Sequence, residues 1–244
     1  MHNIRWHIGC SGFHYKEWKD RFYPKGLVQR LWFDHYAKHF NTLELNVTFY
    51  RFPTLQSLTG WYQKAPDGFI FSAKVPRTVT HYGKFVNTQV IIDDFYAVLQ
   101  EGLKEKMGCV LFQMPPQWTY SEERLELMLA QMNFSFRNVI EFRHESWWRS
   151  DVMQRLAQHG VSFCGVSFPK ISIDDAIINS SLVYYRFHGV PVLFYSAYEN
   201  DILHRVASQI RENELTTEAF VYFNNTASMA AIGNAMDFRQ MALG

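Results

Sequence analysis

The chain has 244 residues, of which 48% are hydrophobic and 17% aromatic, and its formal net charge is +1. A chain of this length buries a sizeable core without disulfide support and suits a single α/β barrel. The balanced charge gives no broad electrostatic case for nucleic acid or an anionic membrane as partner. No apolar run approaches the roughly 20 residues that a membrane-spanning helix needs.

The chain opens MHNIRWHIGCSG, without an apolar h-region. No signal peptide is therefore expected, and a cytoplasmic location follows. The first β-rich run is Trp6–Cys10, and a helical pattern follows over Val28–Phe40. In that segment His35 and His39 stand four apart, a ligand-like spacing, but with no third partner in sequence they read as a solvated helix face. Strand Thr42–Asn46 is followed by helix Leu55–Lys64, for which Thr54 is the N-cap. Strand Phe69–Lys74 leads to helix Thr88–Lys106, and strand Cys109–Gln113 to helix Ser121–Met132. Strand Asn138–Arg143 leads to helix Ser146–His159, in which Trp147 and Trp148 read as an anchor for the helix. Strand Ser162–Ser167 precedes a short stretch, Ile171–Asn179, with room for one or two helical turns. Strand Leu182–His188, helix Asn200–Asn213, strand Phe220–Asn224 and helix Thr226–Met241 complete the chain. Ser121 and Thr216 head incomplete capping boxes. The cysteines, Cys10, Cys109 and Cys164, fall in or beside apolar strands, outside any C-x-x-C pair, and read as buried thiols of a reducing compartment.

Eight strand–helix repeats predict a parallel sheet. An open doubly wound sheet would favour a glycine-rich phosphate turn leading straight into a helix. Gly9-Cys10-Ser11-Gly12-Phe13 leads instead into a long loop holding Tyr15 and Trp18. The expected fold is therefore a single-domain (β/α)8 TIM-type barrel, parallel and eight-stranded, over residues 1–244.

Side-chain parity locates the candidate site. Alternate strand residues point to opposite faces. Glu44 with Asn46, Ser72 with Lys74, Glu141 with Arg143, Tyr184 with Arg186 and His188, and Tyr222 with Asn224 each share one parity late in their strands. Gln113 does so with Leu111. A charge on a helix-packed face would cost several kcal/mol, so these groups are expected to line one pocket at the carboxyl ends of the strands. The competing reading is a plug of structural ion pairs, such as Glu44 with Lys74 and Glu141 with Arg186.

The inventory is slightly cationic and suits a small anionic ligand bearing phosphate or carboxylate, or a sugar-like one. Arg143 and Arg186 would clamp the anion. Glu44 and Glu141 would carry protons, and Lys74 would act as an electrostatic clamp or a Schiff-base nucleophile. Tyr15, Asn46, Tyr50, Gln113, His188 and Asn224 would orient the ligand. Glycoside hydrolysis fits less well, because Glu44 and Glu141 come from strands two and five. Glu44, Glu141 and His188 are possible metal ligands, but no H-x-H, H-E-x-x-H or carboxylate cluster appears, so no metal site is assigned and no cofactor is specified. No nucleophile elbow or P-loop is present. Three readings stay open: an acid–base enzyme on a small anionic or polyhydroxy metabolite, a metal-assisted phosphodiesterase or nuclease-like barrel, and a non-catalytic metabolite-binding protein.

The segments IGCSGFHYKEW, NTLELNVTFYRFP, FIFSAKVPRTVTH, GCVLFQMPPQW, VIEFRHESWW, VYYRFHG and FVYFNNT run in order from end to end. In these the chain resembles the domain-of-unknown-function-72 proteins, also called YecE-like. The resemblance implies a TIM-type barrel. It brings Gly9, Tyr15, Glu44, Asn46, Tyr50, Lys74, Gln113, Glu141, Arg143, Arg186, His188 and Asn224 within the signature segments, and it supplies no reaction. Around Val86–Phe95 the chain reads VNTQVIIDDF, where a more charged approach to the helix is expected of the family.

Overall fold

Each strand run expected from the sequence forms a strand, and apolar residues bury both faces of most of them, as a parallel sheet covered by helices requires. A computed structural model describes residues 3–172 and 175–244. In chain order the elements are β1 (Arg5–Ser11), α1 (Trp32–Tyr36), β2 (Thr42–Leu45), α2 (Val47–Tyr50), α3 (Leu55–Lys64) and β3 (Ile70–Lys74). Then come α4 (Gln89–Leu103), β4 (Met107–Gln113), α5 (Glu122–Ala130), β5 (Arg137–Glu141), α6 (Ser150–Gln158), β6 (Ser162–Phe163), β7 (Gly165–Phe168) and β8 (Ile171–Ser172). The last are β9 (Leu182–Phe187), α7 (Asn200–Glu212), β10 (Glu218–Phe223) and α8 (Ala230–Leu243). The chain divides into two compact units, Met1–Glu44 with Cys164–Gly244, and Leu45–Phe163.

In the first unit the strand order is β2-β1-β10-β9-β7-β8. All its pairings are parallel except β7 with β8. One parity packs on helix α8: Phe187 and Phe223 lie edge-on to Phe238, and the Cys10 thiol reaches the Ala231 carbonyl. The other parity carries Ser11, Glu44, Tyr184, Arg186 and Tyr222. Its curvature follows from one contact. Glu44 on β2 meets Arg186 on β9 at 2.6 Å, although three strand spacings of roughly 4.8 Å separate those strands in a flat sheet. That face of the unit is therefore strongly concave. Gly9 lies in register with both Thr42 and Tyr222, whose hydroxyls meet at 2.6 Å. A Cβ at position 9 would stand 2.3 Å from the Thr42 carbonyl oxygen and 2.7 Å from the Tyr36 hydroxyl, so only glycine fits.

The second unit orders its strands β6-β5-β4-β3, all parallel. Helix α3 starts where Thr54 accepts the Ser57 amide at 3.2 Å, the cap expected from the sequence. Helix α4 buries Ile92, Phe95, Tyr96, Leu99 and Leu103, a single stripe at helical spacing. Close to β5, Trp147 stacks on Phe142 at 4.2 Å and on Trp118 at 4.7 Å, and its indole N–H donates to the Trp118 carbonyl. Trp147 is thus an anchor; Trp148 packs edge-on to Phe163.

Four details differ from expectation. The expected sixth strand, Ser162–Ser167, is not one element: its first two residues form β6, which pairs with β5, its last three fall in β7, which pairs with β9, and Cys164 separates them. The exact count of eight strands is accordingly replaced by ten strand segments among the described residues, in an α/β chain whose main pairings are parallel. The first helix is cut to α1, preceded by a 3-10 turn at Gln29–Leu31. Thr216 caps no helix, because β10 follows it. In the stretch 171–179, residues 173–174 lie outside the described residues. Ile171–Ser172 form β8, and the described remainder contains no helical turn. Among the described residues no helix is long and apolar enough to cross a membrane. Cys10, Cys109 and Cys164 are buried thiols, and burial pushes the Cys10 thiol well up from its ordinary range.

Candidate functional site

Each unit gathers strand-end residues of its own. In the first unit Glu44 accepts three hydrogen bonds. Ser11 Oγ and Arg186 Nη2 donate to its Oε1 at 2.6 Å each, and the Tyr184 hydroxyl donates to its Oε2 at 2.6 Å. Glu44 and Arg186 are both fully buried. A buried charge is tolerated when it is paired and hydrogen-bonded, and here both carboxylate oxygens are engaged.

His188 lies just past β9, also fully buried. Its Nδ1 is 2.9 Å from the Asn224 amide nitrogen. Nε2 is 3.5 Å from Arg186 Nη1. Beyond His188 the chain turns at Gly189, with φ +91°, and the Phe194 amide donates back to the His188 carbonyl at 2.6 Å. Tyr15 approaches this strand end differently. Its hydroxyl donates to the Ser11 carbonyl at 2.5 Å and its ring lies 4.8 Å from Trp18.

In the second unit Lys74 ends β3 and Gln113 ends the adjacent β4. Lys74 Nζ donates to Gln113 Oε1 at 2.6 Å and sits 4.0 Å above the Phe49 ring. The Thr48 hydroxyl reaches the Leu45 and Lys74 carbonyls, tying α2 to the end of β3. Glu141 closes β5 and forms an ion pair with Arg143, two residues on. Asn46 stands at the N-cap of α2 without a capping bond, and its buried Oδ1 has no hydrogen-bond partner. Tyr50 is exposed, its ring 5.8 Å from the Arg77 guanidinium.

His81 completes this cluster, and the parity argument misses it. It lies in a π-type turn, Thr78–Gly83, where neither strand nor helix periodicity applies, although it ends the FIFSAKVPRTVTH segment. Its Nδ1 is 2.9 Å from Thr80 Oγ1 and its ring meets Phe49 edge-on at 4.9 Å. Burial, followed by the positive charges of Lys74, Arg143 and Arg77, lowers its pKa from 6.5 to about 4, while Glu141 opposes the shift. The imidazole is therefore neutral at pH 7, in a field in which three cations outweigh one carboxylate.

The structure thus groups Lys74, Gln113, Glu141 and Arg143 around His81, and Glu44 with Arg186, His188 and Asn224. Glu44 is paired with Arg186, and Glu141 with Arg143. In chemical terms, the first cluster is a buried hydrogen-bond network in which both oxygens of Glu44 are engaged. The second offers cationic donors, a neutral imidazole and one carboxylate. Among the described residues no group of three or more His, Cys, Asp or Glu side chains is placed to hold a metal ion.

The chain is 25% identical to a DUF72 family protein from Thermotoga maritima whose crystal structure aligns with a TM-score of 0.87, covering 98% of this chain and 100% of that one. A DUF72 family protein from Enterococcus faecalis, 17% identical, shares the fold, with a TM-score of 0.82 over 98% of this chain and 96% of its own. In sequence, the chain is 24% identical to UPF0759 protein YecE of Escherichia coli K12 over 151 residues, which are 61% of this chain and 54% of YecE. It is 26% identical to UPF0759 protein YunF of Bacillus subtilis over 152 residues, 58% of this chain and 52% of YunF. The chain spans about half the length of these curated relatives in the matched region. Residues 7–243 match the family described as "Protein of unknown function DUF72", and the chain belongs to that family.

Proposed function

We propose that the cluster around His81 binds a small anionic metabolite bearing a phosphate or carboxylate. The observation that carries this reading is that Lys74, Arg143 and Arg77 bring positive charge to bear on His81, with Glu141 opposing them. Such a field attracts an anion, and a planar guanidinium can grip it with paired hydrogen bonds. Lys74 and Arg143 supply charge-assisted donors, Gln113 holds the lysine in place, and Asn46 offers a further buried polar group.

Glu141 is the proton carrier in this reading. It stands beside the cations that would hold the substrate, and Arg143 orients it. Glu44 takes a different part. With three donors already on its oxygens, it holds Arg186 and Tyr184 in position. His188 and Asn224 form the same kind of supporting pair. A cytoplasmic location suits the three buried thiols. A purely sensing protein would use the same groups without turning over its ligand, and product formation separates the two.

The test is calorimetric titration with inorganic phosphate, alongside thermal melting, in which a ligand stabilises by RT ln(1 + [L]/Kd). Saturable binding that Lys74→Ala weakens at least tenfold supports the reading. Binding unaffected by that substitution, or no binding at millimolar phosphate, contradicts it.

A further inference from the structure

The cationic cluster is continuous with an unusual piece of surface. Tyr50 and Tyr82 are 68% and 66% exposed. Arg77 projects between them, its guanidinium carbon 5.8 Å from the Tyr50 ring centre and 5.5 Å from that of Tyr82. Phe49 joins this surface to the cations. Its ring stands perpendicular to Tyr50 at 5.0 Å and to His81 at 4.9 Å, and Lys74 Nζ lies 4.0 Å over it. A ligand whose anionic end rests on Lys74, His81 and Arg143 would therefore lay the rest of itself along two exposed rings and a guanidinium plane.

A planar heterocycle answers that surface best. It stacks on tyrosine faces and on the flat guanidinium alike. A sugar ring alone would ask for side-chain amides and carboxylates around its hydroxyls, whereas Tyr50, Arg77 and Tyr82 present two exposed rings and a planar cation. The formal net charge of +1 also argues for one nucleotide rather than a long polyanion.

We propose that the site takes a nucleoside monophosphate, with the phosphate on Lys74, His81 and Arg143 and the base stacked against Tyr50, Arg77 and Tyr82. This rests on the anion-binding reading above and names its ligand class. The nucleotide has two sources, a free metabolite or the 5′-phosphorylated end of a single strand.

The experiment compares calorimetric affinities of the full chain for inorganic phosphate, ribose 5-phosphate, adenosine 5′-monophosphate, and oligothymidylates with and without a 5′-phosphate. Adenosine monophosphate is expected to bind at least about tenfold more tightly than phosphate or ribose 5-phosphate, since each stacked base adds that order of affinity. Tyr82→Ala, checked for an unchanged melting temperature, should erase most of this advantage and leave the affinity for inorganic phosphate within about twofold. Should Tyr82→Ala lower the melting temperature, Tyr82→Phe is the control, since it keeps the ring and should retain the nucleotide preference. Equal affinity for adenosine monophosphate and ribose 5-phosphate overturns the nucleotide assignment and leaves anion binding standing. Failure of all the phosphates to bind overturns both. If the nucleotide preference holds, a 5′-phosphorylated oligomer that binds more tightly than adenosine monophosphate identifies a strand end as the source, and the reverse order identifies the free nucleotide.

Discussion

Arg186 donates to Glu44 across the concave face of the first unit at 2.6 Å, and neither side chain is reached by solvent. Removing one member of such a pair leaves the other as an uncompensated buried charge. Arg186→Met should therefore destabilise the fold by about 3–5 kcal/mol. The double substitution Glu44→Gln with Arg186→Met should cost less than the two single changes added together, because it removes both charges. Urea unfolding monitored by tryptophan fluorescence, with the slope held constant across variants, measures both.

The Tyr36 hydroxyl sits between β1 and β2, accepting the Cys10 amide at 2.7 Å and donating to the Thr42 carbonyl at 3.0 Å. Tyr36→Phe keeps the ring and strands both backbone groups in a dry site. A loss of about 1–3 kcal/mol is expected in the same unfolding experiment.

Charge removal in the second unit should act in opposite directions on phosphate binding. Arg143→Lys keeps a cation but loses the planar fork, and should weaken phosphate binding about tenfold or more. Glu141→Gln removes the one opposing carboxylate and should tighten binding roughly three- to tenfold, while abolishing any turnover. Calorimetry on the two variants reads the first effect, and product assays on the second variant read the other. Weaker phosphate binding in Glu141→Gln would show that the carboxylate serves the ligand in some way other than by charge.

His81 also sets a stability trend with pH. Its folded pKa, about 4, lies below its ordinary 6.5, so the unfolded chain binds the proton more readily between those values. The charged and titratable groups facing it are Lys74, Arg77, Arg143 and Glu141. This residue's contribution to stability should therefore fall as pH is lowered from about 6.5 to about 4. His81→Gln should flatten that part of the profile, as followed by melting temperature at half-unit pH steps.

Much of this organisation was legible in the residues themselves. Alternation within the strands placed Glu44, Lys74, Gln113, Glu141, Arg186 and Asn224 late on one parity, and Thr54 announced the start of α3. Partnering was harder to read, because parity fixes a face but not a distance. Glu141 and Arg143 share a face two residues apart, yet their ion pair depends on side-chain geometry that no local pattern encodes. The break at Cys164 was hidden for a similar reason, since the run 162–167 is uniformly buried and its change of neighbour, from β5 to β9, is a property of the pairing. His81 was missed because its turn has no period. Only its closeness to Lys74, Arg77 and Arg143 in space reveals it.

The most direct test of the central claim is the titration of the His81 imidazole by NMR, assigned with His81→Gln, in the absence and presence of saturating inorganic phosphate. An anion held by Lys74, Arg143 and His81 would offset the cations and favour the imidazolium. The account predicts a midpoint that starts near 4 and rises by at least one pH unit with phosphate, with binding that tightens as pH falls through that interval. A midpoint that stays where it was while phosphate binds would place the anion elsewhere and contradict the assignment.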